Sequence, residues 1–212
     1  MSLETACLIT GMMKENCYIL SDRELAPGDC VLIDPGDDAG KISSFLREQG
    51  LSPRAILLTH GHFDHITAVP ELLETYKDVK VYACKDEIGM LGDAGINLSE
   101  HFLRPVELTD IEPLSDGEDI ELLGHGFKVI ETPGHTAGSC CYYEEKEKLL
   151  YSGDTLFRSS YGRTDLPTGS EEEMGKSLNE KLFTLPEDVK VYPGHDAPTS
   201  IGFERKHNPG AI

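Results

Sequence analysis

The sequence predicts a mixed α/β domain in which a βαβ half is joined to a more antiparallel half. Short apolar runs recur along the chain, bounded by Gly, Pro and Asp turns. Helix-period segments separate several of these runs. No linker, internal repeat or low-complexity stretch divides the 212 residues, so one domain over 1–212 is expected. Composition alone does not choose between one mixed sheet and two packed sheets.

Residues 5–10, 17–20 and 30–33 are short apolar stretches, and 21–29 connects the last two through a Pro-Gly turn. Asp34-Pro35-Gly36-Asp37-Asp38 leads into a helix over 39–49, with Ala39, Ile42, Phe45 and Leu46 on its apolar side and Gly50 as its stop. The unbroken run 55–58 reads as a strand buried on both faces. A helix over about 66–76 follows, with Val69, Leu72 and Leu73 inward, and Val79–Ala83 is a second buried strand. Residues 84–101 contain a short helix at 85–91 and then a loop. Asp116-Gly117 turns the chain between two strand-like stretches. Phe127–Thr132, Ser139–Tyr143 and Lys148–Ser152 are further strands, and 157–170 is a polar loop too long for a simple hairpin. Ser170 caps a helix that runs to about Phe183, with Glu171 to Glu173 in its first turn, where the helix dipole favours acids. Val189–Tyr192 is the last clear strand, and 198–206 is a short terminal helix.

The stretch around which this pattern is organised is Ala55–Thr67, AILLTHGHFDHIT. A buried strand ends directly in His60, His62, Asp64 and His65, all able to bind metal. The carboxyl end of a strand is where α/β sheets place their sites. Three other strand ends carry the same type of residue: His135 in Thr132-Pro133-Gly134-His135, Asp154 after Tyr151-Ser152-Gly153, and His195 after Tyr192-Pro193-Gly194. Together these are five histidines and two aspartates, too many for one tetrahedral zinc and suited to two metals that share a ligand. A carboxylate bridges two cations more readily than an imidazole nitrogen, which makes Asp154 the sensible bridge. Two divalent metals are therefore expected, zinc first, with iron or manganese using the same donors. Water bound to such a pair becomes a nucleophile near neutral pH, suited to attack on an electrophilic carbonyl. His101, His125 and His207 lack this context and are expected to be structural or on the surface. Cys140 and Cys141 alternate along a strand and are read as core residues.

Lys+Arg total 19 against 38 Asp+Glu, a formal net charge of -19. Such a balance argues against nucleic acid or an anionic membrane as partner. The six cysteines form no CxxC and the start, MSLETACLITG, has no basic region or long apolar run, so a cytoplasmic protein with free thiols is expected. No stretch reaches 18 apolar residues, so no membrane span is expected. A monomer or homodimer acting on a small molecule fits this reading.

The His60, His62, Asp64, His65 motif, followed in order by His135, Asp154 and His195, resembles the signature of the metallo-β-lactamase superfamily of metallohydrolases. The resemblance covers nearly the whole chain and implies an αββα sandwich: two packed mixed β-sheets flanked by helices. It implies a first metal on His60, His62 and His135, a second on Asp64, His65 and His195, and Asp154 as bridge. Within the superfamily the chain is most similar to the glyoxalase II group, in particular short bacterial hydroxyacylglutathione hydrolase-like proteins. Asn16-Cys17-Tyr18, Ile33-Asp34-Pro35-Gly36, Ser152-Gly153-Asp154-Thr155, Gly162-Arg163-Thr164-Asp165 and the tail from Ile201 to Pro209 carry that similarity. The implied reaction is hydrolysis of a glutathione thioester of the S-lactoylglutathione type, with Asp64 and Asp154 as catalytic residues. Full-length glyoxalase II proteins add a helical C-terminal extension that binds the thiol; here the chain stops at Ile212, leaving Arg205, Lys206 and Arg163 as expected substrate contacts. Arg163 is also expected to pair with Asp165. Rival readings are an iron persulfide dioxygenase, with one iron on two histidines and an aspartate (His60 and Asp154 among them), and a dinuclear lactonase or small-ester hydrolase with an apolar pocket in place of basic residues. A metal-binding module without activity is the nonenzyme alternative.

Overall fold

A computed structural model describes residues 2–212. Its strands form two six-stranded sheets that pack face to face. The first holds β1 (Glu4–Thr10), β2 (Glu15–Ser21), β3 (Asp29–Ile33), β4 (Ser52–Leu58), β5 (Lys80–Cys84) and β6 (Glu112–Leu114), in that spatial order. Its first three strands pair antiparallel and the remaining pairs are parallel. The parallel half exists because helices carry the chain back: α1 (Ala39–Gln49) between β3 and β4, then α2 (Phe63–Ile66) and α3 (Val69–Thr75) between β4 and β5.

The second sheet begins at an edge with β7 (Asp119–Leu122), β8 (His125–Glu131), β9 (Cys140–Glu144) and β10 (Leu149–Gly153), paired antiparallel. It continues through β13 (Lys190–Pro193), parallel to β10, and β14 (Thr199–Ser200), antiparallel to β13. Between β10 and β13 lie the two-residue strands β11 (Leu156–Phe157) and β12 (Ser160–Tyr161), paired with each other. The single-turn α4 (Ile88–Leu91) follows β5, and helix α5 (Glu171–Lys176) and the closing helix α6 (Ile201–His207) cover the second sheet. Both sheets are mixed and each has helices on its outer face, so the αββα sandwich is the observed fold.

Period-two sorting of the strand residues builds the layers. On β3, Val31 and Ile33 point between the sheets, while Cys30 and Leu32 pack toward the outer helices with Ile42, Leu46, Val69 and Leu72. On β9, Cys140 and Tyr142 face the inter-sheet core, while Cys141 and Tyr143 pack with Met174, Leu178 and Ile201. Both neighbouring cysteines are therefore core residues, on opposite faces of one strand.

Helix α1 has the expected bounds. Gly50 closes it in the left-handed conformation, its N–H shared by the Arg47 and Leu46 carbonyls. The single helix expected over about 66–76 is instead α2 and α3. Pro70 lacks the N–H that would reach back to Ile66, and it sits in the first turn of α3, where that donor is dispensable. Ser170 caps α5 by accepting from the Glu173 N–H, and the helix continues through a π turn at Ser177–Lys181. The chain around Asp116-Gly117 makes no hairpin: β6 lies at the edge of one sheet and β7 at the edge of the other. Among the described residues no helix is long and apolar enough to cross a membrane.

Candidate metal centre

The seven sequence-predicted residues converge where the two sheets meet at the carboxyl ends of β4, β10 and β13. His60 and His62 follow β4 directly, and Asp64 and His65 stand on the single turn of α2. His135 lies in the turn between β8 and β9, Asp154 just past β10 and His195 just past β13. Donor atoms of His60, His62 and His135 lie within 4.8 Å of one another, and so do those of Asp64, His65 and His195. His62 Nδ1 is 2.8 Å from His135 Nε2. Asp154 spans the two trios: Oδ1 is 3.4 Å from His65 Nε2, and Oδ2 is 3.6 Å from both His135 Nε2 and His195 Nε2.

These residues fit a metal pair on a structural ground. His60 Nε2, His65 Nε2 and Asp154 Oδ1 are buried polar atoms with no hydrogen-bond partner among the described residues. Such atoms are costly to bury and rare in folded proteins, and cations between the trios would answer all three. His60, His62, His65 and His135 are buried, whereas the Asp64, Asp154 and His195 side chains are 15%, 12% and 20% exposed. The centre therefore opens to solvent on the side of the second trio.

The electrostatics divide in the same way. Burial and the neighbouring histidines push His60 well below the usual histidine range, and burial with His135 takes His62 down to about 3. Both are neutral at pH 7, the state that ligates. Burial works against charge on His65, but Asp154 and Asp34 outweigh it and raise its pKa. Burial also opposes ionisation of Asp154, yet His65, His135 and His195 hold its carboxyl well below the ordinary carboxylate range.

A second layer of residues fixes ring orientations. Asp34 Oδ2 sits 3.0 Å from His65 Nδ1, and the Asp34 carboxylate also accepts from the Thr59 N–H (2.8 Å) and hydroxyl (2.5 Å). A proton held on His65 Nδ1 leaves Nε2 free to face the cluster. His135 Nδ1 donates to the Arg163 carbonyl at 2.7 Å, with the same consequence for its Nε2. Glu87, buried on the short 3₁₀ turn after β5, accepts from Gly61 N at 2.7 Å and from Thr136 Oγ1 and Gly138 N at 2.9 Å each. One carboxylate thus ties the His60–His62 loop to the His135 loop. Asn16 and Tyr18 of β2 bond the Pro193 carbonyl at 2.9 and 2.7 Å, so the first sheet anchors the loop that carries His195. Gly194 packs so tightly that a Cβ there would collide with Asp154 Oδ1 and His65 Cε1.

Sequence reasoning named the seven residues but assigned no role to Asp34, Thr59 or Glu87. Asp34 carried a usable signal, an acid at the end of the strand next to β4. Glu87 lies in a segment without a clear pattern and had none. Each of the three basic residues expected as substrate contacts has an acid beside it. Arg163 pairs with Asp165 through two 2.7 Å bonds, as anticipated, and the part of it that meets the centre is its backbone carbonyl. Arg205 and Lys206 both face Glu187, at 3.7 and 3.9 Å. His125 is buried between Asp22 (3.0 Å) and Glu144 (3.4 Å), a structural position.

Known proteins resemble this chain over nearly its whole length. A relative in Bacillus subtilis (strain 168), the probable metallo-hydrolase YqgX, is 39% identical over 202 residues, covering 94% of this chain and 93% of its own. The hydroxyacylglutathione hydrolase GloC of Haemophilus influenzae is 32% identical over 199 residues, 92% of each chain. Among solved structures, the BLEG-1 B3 metallo-beta-lactamase superposes with a TM-score of 0.90 at 37% identity, covering 97% of this chain and 98% of that one. TTHA1623 in a di-iron-bound form gives 0.85 at 34% identity, covering 96% and 98%. The profile of the Metallo-beta-lactamase superfamily matches residues 11–195, which includes every one of the seven converging side chains, and the chain belongs to that superfamily.

Proposed function

We propose that this protein is a dinuclear metallohydrolase that cleaves a glutathione-type thioester. The observation that carries the reading is Asp154, whose two carboxylate oxygens reach members of both trios. In this reading His60, His62 and His135 would hold one metal, Asp64, His65 and His195 the other, and Asp154 would be shared between them. A divalent metal there would supply Lewis-acid chemistry, lowering the pKa of a bound water from 15.7 to about 7 and polarising a carbonyl oxygen. The protein residues supply orientation. Asp64 Oδ2, 3.4 Å from His195 Nε2, lies at the open side, where its carboxylate would orient an incoming water. Asp34 and the Arg163 carbonyl keep His65 and His135 in the tautomers that point Nε2 inward. The relative GloC, named as a hydroxyacylglutathione hydrolase, supports the thioester class. Zinc is the first choice of metal, and the di-iron form of TTHA1623 supports iron in the same donors.

A small-ester or lactone hydrolase is the second reading, favoured by the pairing of Arg163, Arg205 and Lys206 with acids. Elemental analysis of the purified protein, with S-lactoylglutathione hydrolysis assayed on the same sample, tests the proposal. About two metals per chain with turnover, and loss of at least about a hundredfold in Asp154→Ala, is the expected outcome. One iron per chain with oxygen uptake on a persulfide, and no hydrolysis, refutes it.

A further inference from the structure

Beside the open edge of the centre lies a cavity of about 180 Å³ that shares Asp64 with the metal site. Met12 and Met13, from the turn between β1 and β2, form one wall. Phe63 and Phe102 form another, their rings stacked with centroids 3.9 Å apart. Met12, Met13 and Phe102 are exposed, at 75%, 49% and 43%, an unusual placement for large apolar side chains grouped around one opening. The cation of this cavity is already engaged: Arg104 Nη1 donates to both oxygens of Asp37, at 2.7 and 2.8 Å. The acids on its wall are Asp37 and Asp64, and an anion entering it would meet them without a free counter-charge.

We infer that this cavity receives the acyl group of the substrate, and that the group is apolar and uncharged. The inference rests on the thioester reading above. In a glutathione thioester the charges lie on the thiol side, and that side finds no free cation here, so the acyl side is the part that fits. Flexible thioethers and stacked rings adapt to linear or branched hydrocarbon. The substrate class is then a fatty or branched-chain acyl thioester, in preference to a hydroxylated or carboxylated one.

The test uses the zinc-loaded 212-residue protein and a series of S-acylglutathiones: acetyl, butanoyl, hexanoyl, lactoyl and succinyl. Burial of each methylene is expected to raise kcat/KM by about fourfold. Butanoyl should exceed succinyl by more than about tenfold, since an unpaired charge is excluded from an apolar site. Phe102→Ala and Met12→Ala should flatten the dependence on chain length; both side chains are substantially exposed, so the fold is not at stake. Binding is read separately by calorimetry with hexanamide and acetamide. Hexanamide should bind wild type at least about tenfold more tightly than acetamide, and Phe102→Ala should abolish that preference. Succinyl equal to or better than butanoyl, or a chain-length dependence untouched by both substitutions, overturns the inference while leaving the hydrolase reading intact. Hexanamide binding that depends on Phe102, with no turnover of any thioester, sustains the cavity assignment and removes the thioesterase reading instead.

Discussion

Replacing Glu87 should show how much of the centre's geometry depends on one buried carboxylate. Glu87 is 1% exposed, and its two oxygens satisfy Gly61 N, Gly138 N and Thr136 Oγ1. In Glu87→Ala the Thr136 hydroxyl keeps Ser139 Oγ at 2.7 Å, whereas the Gly61 and Gly138 N–H groups lose this acceptor. An unsatisfied buried donor costs about 1–3 kcal/mol, so the pair costs about 2–6 kcal/mol before any cavity is counted. That is a large share of the 5–15 kcal/mol typical of a folded domain. Burial also pushes the Glu87 carboxyl up from 4.5 to about 7. Between those values the native state holds a proton that the unfolded chain has released, so this contribution to stability is full below about pH 4.5 and falls as pH rises through 7. The span corresponds to about 3 kcal/mol. Glu87→Gln cannot titrate and should remove that part of the pH dependence while preserving side-chain shape. Urea unfolding of the metal-free protein at pH 5 and pH 8, for wild type and both variants, reads the two effects. Calorimetric metal titration then reports whether loosening the loops of His60, His62 and His135 weakens binding. A loss in Glu87→Ala below about 1 kcal/mol, with metal affinity unchanged, would refute the reasoning.

Three further outcomes are expected. Asp34→Ala releases His65 Nδ1 and the Thr59 hydroxyl, and should weaken metal binding at the second trio by about 10–100-fold while sparing the first, measured by competition with a chromophoric chelator. Gly194→Ala forces a methyl against Asp154 Oδ1 and His65 Cε1, and should cost about 1–3 kcal/mol in thermal unfolding along with metal occupancy by elemental analysis. Stripping metal with a chelator should lower the Tm by roughly 8–16 °C in scanning calorimetry, if free metal exceeds its Kd about a thousandfold before treatment.

Reading the sequence went furthest where local chemistry sets structure. Helix α1 was legible because its apolar spacing, its left-handed Gly50 stop and its length agree. The seven converging residues were legible because metal binding needs rare side chains, and each stands at the end of a recognisable strand or in a turn fixed by Pro and Gly. Pairing between distant segments was less legible. Nothing local to Asp116-Gly117 tells that β6 and β7 belong to different sheets, since a turn between strands looks the same either way. The split of α2 from α3 was readable in Pro70, whose missing N–H falls where the ladder must break. Glu87 illustrates the harder limit. Its partners Gly61 and Gly138 are 26 and 51 positions away, and a glutamate in a polar stretch resembles any solvated surface residue. Arg205 and Lys206 show the same limit: that Glu187 lies 3.7 and 3.9 Å from them is set by how α6 packs, not by the residues beside them.

The seven side chains are drawn from both sheets, from His60 after β4 to His195 after β13, so the centre is also a clasp between the halves of the chain. A bond across so long a stretch of polypeptide removes conformational freedom from the unfolded state in the manner of a metal clip closing a large loop. It also sets an order of events. His60, His62, Asp64 and His65 leave the ribosome with the first sheet, but the clasp closes only after β13 has been made and seated beside β10. Until then the first-sheet residues stand without His195, and a chain interrupted before His135 has only His60, His62, Asp64 and His65 of the seven.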